Sequence, residues 1–85
     1  MVTVDGFVLD NANRPVENAT IVIPAQHLFA LSGEHGEFVI TDVTPGIYTI
    51  YAIQRYYDKF ETDVNVSVDT TVTINLDRKF SSGGN

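Results

Sequence analysis

The sequence contains no cysteine, and this absence excludes two kinds of small protein at once. A chain without thiols can have neither a disulfide framework nor a thiolate-bound metal ion. A chain of 85 residues buries only roughly 60% of the surface that its unfolded form exposes. Its stability must therefore come from side-chain packing among the 44% of residues that are hydrophobic.

Basic residues are also scarce. The chain has 5 Lys and Arg against 11 Asp and Glu, and its formal charge is −6 at pH 7. Nucleic-acid binding requires clustered cations that neutralise phosphates, and this sequence has no such cluster.

No apolar run reaches the roughly 18 residues of a membrane span. Residues 1–4 enter a strand pattern directly, so this stretch is no signal peptide. We expect either a cytoplasmic protein or one domain of a longer exported chain.

No ten-residue window has the periodicity of a helix, whereas apolar and polar residues alternate along most of the chain. This alternation predicts an all-β, seven-stranded antiparallel β-sandwich. The predicted strands cover residues 2–9, 18–23, 28–31 (an edge strand), 36–40, 48–52, 60–68 and 72–76. A proline-glycine turn at Pro45-Gly46 precedes the fifth strand, and Asp69-Thr70 is expected to form a two-residue hairpin turn. The module should span residues 1–79, with residues 80–85 as a flexible tail or linker.

The parity of each strand predicts which residues form the core. The expected core contains Val4, Val8, Ile21, Ile23, Phe38, Ile40, Tyr48, Ile50, Val64, Val66, Val72 and Ile74. Tyr48 should insert its ring while its hydroxyl reaches a backbone group or water near the rim, because a buried hydroxyl needs a partner.

The same parity places six apolar residues on the outside of the sandwich: Phe7, Leu9, Val39, Ile47, Tyr51 and Ile53. They would form one interaction surface only if the first, fourth and fifth strands share a sheet, which the sequence does not establish. A contiguous patch above a few hundred Å² would mark a docking surface. The alternative is that these residues scatter over both sheets.

Other residues invite chemical interpretations, each with a simpler alternative. His27 and His35 are the only histidines, and two acids beside His35 on a glycine turn indicate a solvated turn rather than a zinc site. Ser32 and Ser67 have no histidine at a recognisable spacing. The loop Asp10–Pro15 lacks the glycine and distal glutamate of an EF-hand. We predict no catalytic residue, no metal site and no cofactor.

Three tyrosines, Tyr51, Tyr56 and Tyr57, could form a platform that stacks on sugar rings. The alternative is that Tyr57 and Phe60 belong to the core and that Tyr51 covers the outer face of its sheet, since aromatic residues are common in strands. Both interpretations remain open at this point.

Five short motifs follow one another in a recognisable order and spacing: Gly6–Asp10, Pro15-Val16, Ala19–Ile21, Gly36–Phe38 and Pro45–Tyr48. Over about residues 3 to 77, the chain resembles the carboxypeptidase regulatory-like domain, a transthyretin-like (prealbumin-like) β-sandwich.

The chain departs from this family's pattern in two places. The usual glycines after the first strand are replaced by Asn13 and Asn18, and asparagine is the best substitute where φ is positive. The family's Gly-Tyr pair after the fifth strand is Tyr56-Tyr57, so either Tyr56 is strained or this turn differs.

The resemblance implies a non-catalytic accessory module of a larger extracellular or cell-surface protein. Its partners would be neighbouring domains or another protein, and the module would provide spacing or docking. A carbohydrate-binding module is the alternative, because related sandwiches resemble carbohydrate-binding folds. Neither interpretation involves nucleic acid or direct membrane insertion.

Overall fold

The computed structural model describes residues 1–78, which form two β-sheets packed face to face. The strands are β1 (Val2–Asp10), β2 (Thr20–Ile23), β3 (Leu28–Leu31), β4 (Glu37–Val43), β5 (Gly46–Ile53), β6 (Phe60–Val66) and β7 (Thr70–Leu76). One 3₁₀ turn, Pro24–Gln26, separates β2 from β3. The predicted seven-stranded sandwich is confirmed, and the predicted tail over residues 80–85 lies outside the described residues. None of residues 1–78 belongs to a helix long and apolar enough to cross a membrane.

One sheet has three strands in the order β4-β1-β7, and the other has four in the order β3-β2-β5-β6. Of the five strand pairs, four are antiparallel and one, β1 with β7, is parallel. The sandwich is therefore antiparallel except along this one ladder. As predicted, Leu28–Leu31 is an edge strand.

Four of the six connections between successive strands cross from one sheet to the other, and two of these are short reversals. The segment from Val43 to Gly46 carries the chain from β4 in the three-stranded sheet to β5 in the four-stranded sheet. Residues 67–69 likewise link β6 to β7 across the sandwich, so the predicted two-residue hairpin is wrong. Tight two-residue hairpins favour glycine or asparagine at positive φ, and neither Asp69 nor the β-branched Thr70 adopts a positive φ.

Most predicted strand boundaries also need correction. β4 extends to Val43, β5 begins at Gly46 and β7 begins at Thr70. The second strand begins at Thr20 rather than Asn18, because Asn18 has a positive φ of 62° that ends extended structure. β6 ends at Val66, and Val68 is 66% exposed instead of lying inside the sandwich.

The interior confirms the predicted parity of β1, β2, β4, β5 and β7, and of β6 as far as Val66. Nine of the twelve predicted core residues are buried: Val4, Val8, Ile21, Ile23, Phe38, Ile40, Ile50, Val66 and Ile74. The other three, Tyr48, Val64 and Val72, are partly buried and pack against them. Val16 and Ala19, from the loop before β2, are also buried. Each fully buried aliphatic side chain contributes about 1.5–3 kcal/mol.

Tyr48 connects this core to the corner between the sheets. Its hydroxyl donates a hydrogen bond of 2.7 Å to the backbone carbonyl of Thr44, as the sequence predicted. A Cβ atom at Gly46 would lie 2.9 Å from the Tyr48 hydroxyl oxygen, so the missing side chain leaves room for the ring. Tyr48 therefore fixes the segment that crosses from one sheet to the other.

Candidate functional site

The six apolar residues predicted on the outside lie on two different sheets. Phe7 and Leu9 of β1 and Val39 of β4 lie on the outer face of the three-stranded sheet. Ile47, Tyr51 and Ile53 of β5 lie on the outer face of the four-stranded sheet. The two groups therefore cannot form one patch. They form two separate candidate surfaces, one on each side of the sandwich.

On the three-stranded sheet, carboxylates interrupt the apolar residues. Phe7 is paired in register with Glu37, and Val39 is paired with Asp5. The neighbouring β7 contributes Thr71, whose hydroxyl donates a 2.7 Å hydrogen bond to the Asp5 carboxylate. Phe7 and Val39 are 47% and 55% exposed, but polar groups surround them.

Across β3, β2 and β5, the outer face of the four-stranded sheet is more continuously apolar, whereas Glu61 and Asp63 of β6 interrupt it beside Tyr51 and Thr49. Strand register aligns Phe29, Val22 and Tyr51 in one row across β3, β2 and β5. The next row aligns Leu31, Thr20 and Ile53. We call this surface the four-stranded outer face; its apolar members are Val22, Phe29, Leu31, Ile47, Tyr51 and Ile53. Phe29, Leu31 and Ile47 are 68%, 58% and 73% exposed, respectively.

Three of these residues, Val22, Phe29 and Leu31, were absent from the predicted surface. The alternation along their own strands indicates that these residues point outward. Val22 alternates with the buried Ile21 and Ile23, and Phe29 and Leu31 alternate with Leu28 and Ala30. What the sequence lacked was the identity of the neighbouring strands.

A second candidate site is an open cleft at the end of the four-stranded sheet, where β5 leads into β6. It encloses about 720 Å³ and is lined by Asn18, Thr20, Ile53, Gln54, Arg55, Tyr56, Tyr57, Asp58 and Lys59. The side chain of Gln54 shapes the loop: its Oε1 accepts a 2.8 Å hydrogen bond from the Tyr56 N–H, and its Nε2 donates to the Glu17 carbonyl. The Asp58 N–H donates to the carbonyl of Asp77, which attaches the loop to the end of β7.

The three tyrosines proposed for sugar stacking have different environments. Tyr56 and Tyr57 line the cleft, and Tyr56 is 57% exposed. Tyr57 is partly buried and packs against the core, as does Phe60. Tyr51 lies on the four-stranded outer face, with the Lys59 ammonium 4.6 Å from its ring centroid. A flat platform of all three is therefore absent from the described residues, and Tyr56 is the exposed ring of the cleft.

The residues at the family's glycine positions adopt the predicted backbone. Asn13 and Asn18 both have φ of 62°. Tyr56 is not among the residues with positive φ, so its backbone is not strained at this turn. His27 and Asp42 also have positive φ, which the sequence did not indicate.

The other residues considered for chemistry have structural contacts. The Ser32 hydroxyl is buried, accepts a hydrogen bond from the Ala19 N–H at 2.9 Å and donates one to the Val16 carbonyl at 2.6 Å. It fastens the end of β3 to the loop that precedes β2. The His35 imidazole lies 4.0 Å from the Glu37 carboxylate. Within residues 1–78, no three His, Asp or Glu side chains cluster as metal ligands do.

Asp10 closes the loop after β1. One carboxylate oxygen accepts hydrogen bonds from the backbone N–H groups of Ala12 and Arg14, at 2.8 and 2.9 Å. The hydrogen bond from Arg14 is the largest influence on the pKa of Asp10 and lowers it below the ordinary 3.8, while burial acts in the opposite direction. The Asp10 carboxylate thus accepts hydrogen bonds from the backbone of its own loop, which forms the predicted turn.

Comparison with solved structures places this fold among proteins of several kinds. With a TM-score of 0.81 and 22% identity, the chain is similar to a chain of the N-terminal interface mutant of a type II cohesin–X–dockerin complex from Acetivibrio cellulolyticus. The match covers 89% of this chain and 57% of that one. A DUF3823 family protein from Bacteroides ovatus matches with a TM-score of 0.71 and 10% identity, over 89% of this chain and 44% of that one.

A candidate carbohydrate-binding protein from Bacteroides uniformis matches with a TM-score of 0.61 and 13% identity, over 91% of this chain and 40% of that one. The present chain thus spans about half the length of these solved chains. At such identities the similarity shows the fold alone. No curated protein matches the sequence.

The family model is more specific than the fold. The model for the carboxypeptidase regulatory-like domain matches residues 3–78, nearly all of the 85 residues. Its span includes the two asparagines at positive φ, the Pro45-Gly46 corner and Tyr48. The chain therefore belongs to the carboxypeptidase regulatory-like domain family.

Proposed function

We propose that this chain is a non-catalytic interaction module of a longer surface or secreted protein, and that it docks against a neighbouring domain through the four-stranded outer face. The observation that carries this proposal is the exposure of Phe29 and Leu31 in two neighbouring rows that also contain Val22, Tyr51 and Ile53 on one sheet. Contiguous apolar surface of this kind is characteristic of interaction sites.

The choice of a neighbouring domain as the occupant rests on chain length. Each solved chain described above is longer than this one, so the same fold occurs there as one part of a larger protein. In such proteins a sheet face that would be costly to leave exposed can pack on the adjacent domain. The similar chain from Acetivibrio cellulolyticus belongs to a protein complex, which agrees with an interaction role.

The composition of the edge strands also supports the four-stranded outer face as the docking surface. Of the four edge strands among the described residues, β4 carries Glu37 and Asp42, β6 carries Glu61 and Asp63, and β7 exposes only polar residues. These features protect edges against unwanted pairing. β3 has no charged residue and exposes Phe29 and Leu31, so the unprotected edge adjoins the apolar face.

Hydroxyl-radical footprinting tests the proposal by comparing residues 1–85 alone with the full natural chain that carries them. Phe29, Leu31 and Ile47 should be modified more slowly in the full chain, because a neighbouring domain covers them. Phe7 and Val39, on the opposite sheet, are the internal controls and should be modified at equal rates in both samples. Equal rates at Phe29 and Leu31, or a natural chain without a further domain, would refute docking to a neighbouring domain.

Carbohydrate binding is the second candidate function. The exposed ring of Tyr56 in an open cleft with the Asn18 amide and the Thr20 hydroxyl combines an apolar face with hydrogen-bonding groups. Ligand sites typically combine these two features. Titration with a panel of oligosaccharides, followed by the amide chemical shifts of residues 54–59, tests it. A panel that shifts none of these amides would exclude this function for the cleft.

A further inference from the structure

Two of the few basic side chains of this acidic protein line the cleft. Residues 1–78 contain four Lys and Arg side chains, at positions 14, 55, 59 and 78, within a chain whose formal charge is −6. Arg14 pairs with Asp10 at 3.6 Å. Arg55 and Lys59 both line the cleft, and neither belongs to an ion pair among the described residues. Asp58 is the one carboxylate in the lining, so the side chains of the cleft carry a net positive charge.

Each of these two cations lies over a tyrosine ring. The Arg55 guanidinium carbon lies 5.1 Å from the centroid of the Tyr56 ring, and the Lys59 ammonium lies 4.6 Å from that of Tyr51. A cation over a tyrosine ring gains about 0.5–1 kcal/mol of favourable electrostatic interaction at an exposed site. Arg55 thus lies beside the exposed ring of the cleft and Lys59 lies where the cleft meets the four-stranded outer face, and neither is paired with a carboxylate among the described residues.

Two polar side chains of the cleft are available for a ligand. Within the described residues, neither the Asn18 amide group nor the Thr20 hydroxyl makes a hydrogen bond, in contrast to the amide of Gln54. Amide and hydroxyl groups bind the hydroxyls of a sugar, whereas an apolar ring packs against its C–H face. The backbone of an acidic peptide would also hydrogen-bond to the amide and the hydroxyl, so the exposed ring of Tyr56 is what favours a carbohydrate.

We propose that the cleft binds an acidic oligosaccharide, a chain of uronic acid units whose carboxylates contact Arg55 and Lys59 while a sugar ring packs on Tyr56. This proposal rests on the second candidate function and adds the class of sugar to it. A neutral oligosaccharide would leave both cations without a partner. An anionic polymer would be repelled by most of the remaining surface, which restricts binding to this end of the sandwich.

The test is a calorimetric and NMR titration of residues 1–85 with tetragalacturonate and with neutral galactotetraose. Tetragalacturonate should bind about tenfold more tightly, since one charge-assisted hydrogen bond corresponds to roughly this factor. Its affinity should fall as salt is raised, because salt screens exposed charges. The double variant Arg55→Gln/Lys59→Gln should lose this preference, and Tyr56→Ala should weaken both sugars.

Arg14→Gln is the matched control, since it removes one positive charge outside the cleft and should change the affinity less than about twofold. Unfolding midpoints of all variants verify that they fold.

Each contrary outcome has a distinct meaning. Equal binding of the two sugars would overturn the acidic preference and leave carbohydrate binding intact. No binding of either sugar would overturn both. Equal binding of an oligoglutamate peptide would show that charge alone is recognised, and would overturn the assignment to carbohydrate. None of these outcomes affects the footprinting test of the four-stranded outer face.

Discussion

Gly6 lies where the backbones of β1 and β7 leave no room for a side chain, and adding one methyl group there should destabilise the whole sandwich. β1 and β7 run parallel, with Gly6 in register with Val72. A Cβ atom at Gly6 would lie 1.7 Å from the carbonyl oxygen of Val72 and 2.7 Å from its carbonyl carbon. Both atoms belong to the backbone, so no side-chain rotation can relieve the clash.

The expected cost of Gly6→Ala follows from this geometry. Overpacking a tight site costs about 1–3 kcal/mol, and separating the strands weakens one or two ladder hydrogen bonds at about 0.5–1.5 kcal/mol each. The sum, about 1.5–6 kcal/mol, is a large part of the total stability of a small domain, about 5–15 kcal/mol. In a domain of this size each kcal/mol lowers the melting temperature by roughly 4–8 °C.

Gly33→Ala provides the matched control for this substitution. Its added Cβ would meet only the carboxylate end of the Glu37 side chain, which can move away. Urea unfolding of the two variants and the parent, followed by circular dichroism, measures the difference. If Gly6→Ala unfolds at the same urea concentration as Gly33→Ala, β1 and β7 do not approach each other as described.

Three further predictions concern the polar contacts of the sandwich. Ser32→Ala should cost about 1–3 kcal/mol in urea unfolding, because the Ala19 N–H and the Val16 carbonyl lose their buried partner; a midpoint equal to that of the parent would contradict this role. Tyr48→Phe should cost about 1 kcal/mol through loss of the 2.7 Å hydrogen bond to Thr44, and an unchanged melting temperature would show that water replaces it. The lowered pKa of Asp10 stabilises the fold above the unfolded pKa of about 3.9 and ceases to do so as pH falls through the folded value. Asp10→Asn should therefore be less stable than the parent at pH 6, and the two melting temperatures should converge as the pH falls below the folded pKa of Asp10; a difference independent of pH would contradict this linkage.

Features that depend on one strand or one turn could be predicted from the sequence. The alternation around Val4 and Val8 places these side chains in the core, as the structure confirms. Asn13 and Asn18 stand where the family has glycine, and both adopt positive φ. Tyr48 lies two residues after Gly46, near enough to reach back to the carbonyl of Thr44. In each case the deciding interaction spans a few residues, so local sequence contains the information.

The arrangement of the sheets could not be predicted in this way. Parity separates inside from outside along a strand, but it does not say which strands are neighbours. The pairing of β1 with β7 joins residues more than sixty positions apart, and such non-local contacts depend on the packing of the entire chain. For the same reason, Phe7 and Tyr51 have the same outward parity and yet lie on opposite sides of the sandwich.

The connection between β4 and β5 explains why the two candidate sites lie on the four-stranded sheet. Because the chain crosses between sheets at Val43–Gly46, β5 pairs with β2 and β6 instead of β4. Pairing with β2 brings Tyr51 and Ile53 beside Val22 and Thr20, and the row continues to Phe29 and Leu31. Pairing with β6 makes the β5–β6 loop a true hairpin connection, whose residues form the cleft. A substitution that disturbs the corner at Tyr48 should therefore alter both the apolar face and the cationic cleft, although neither site contains Tyr48.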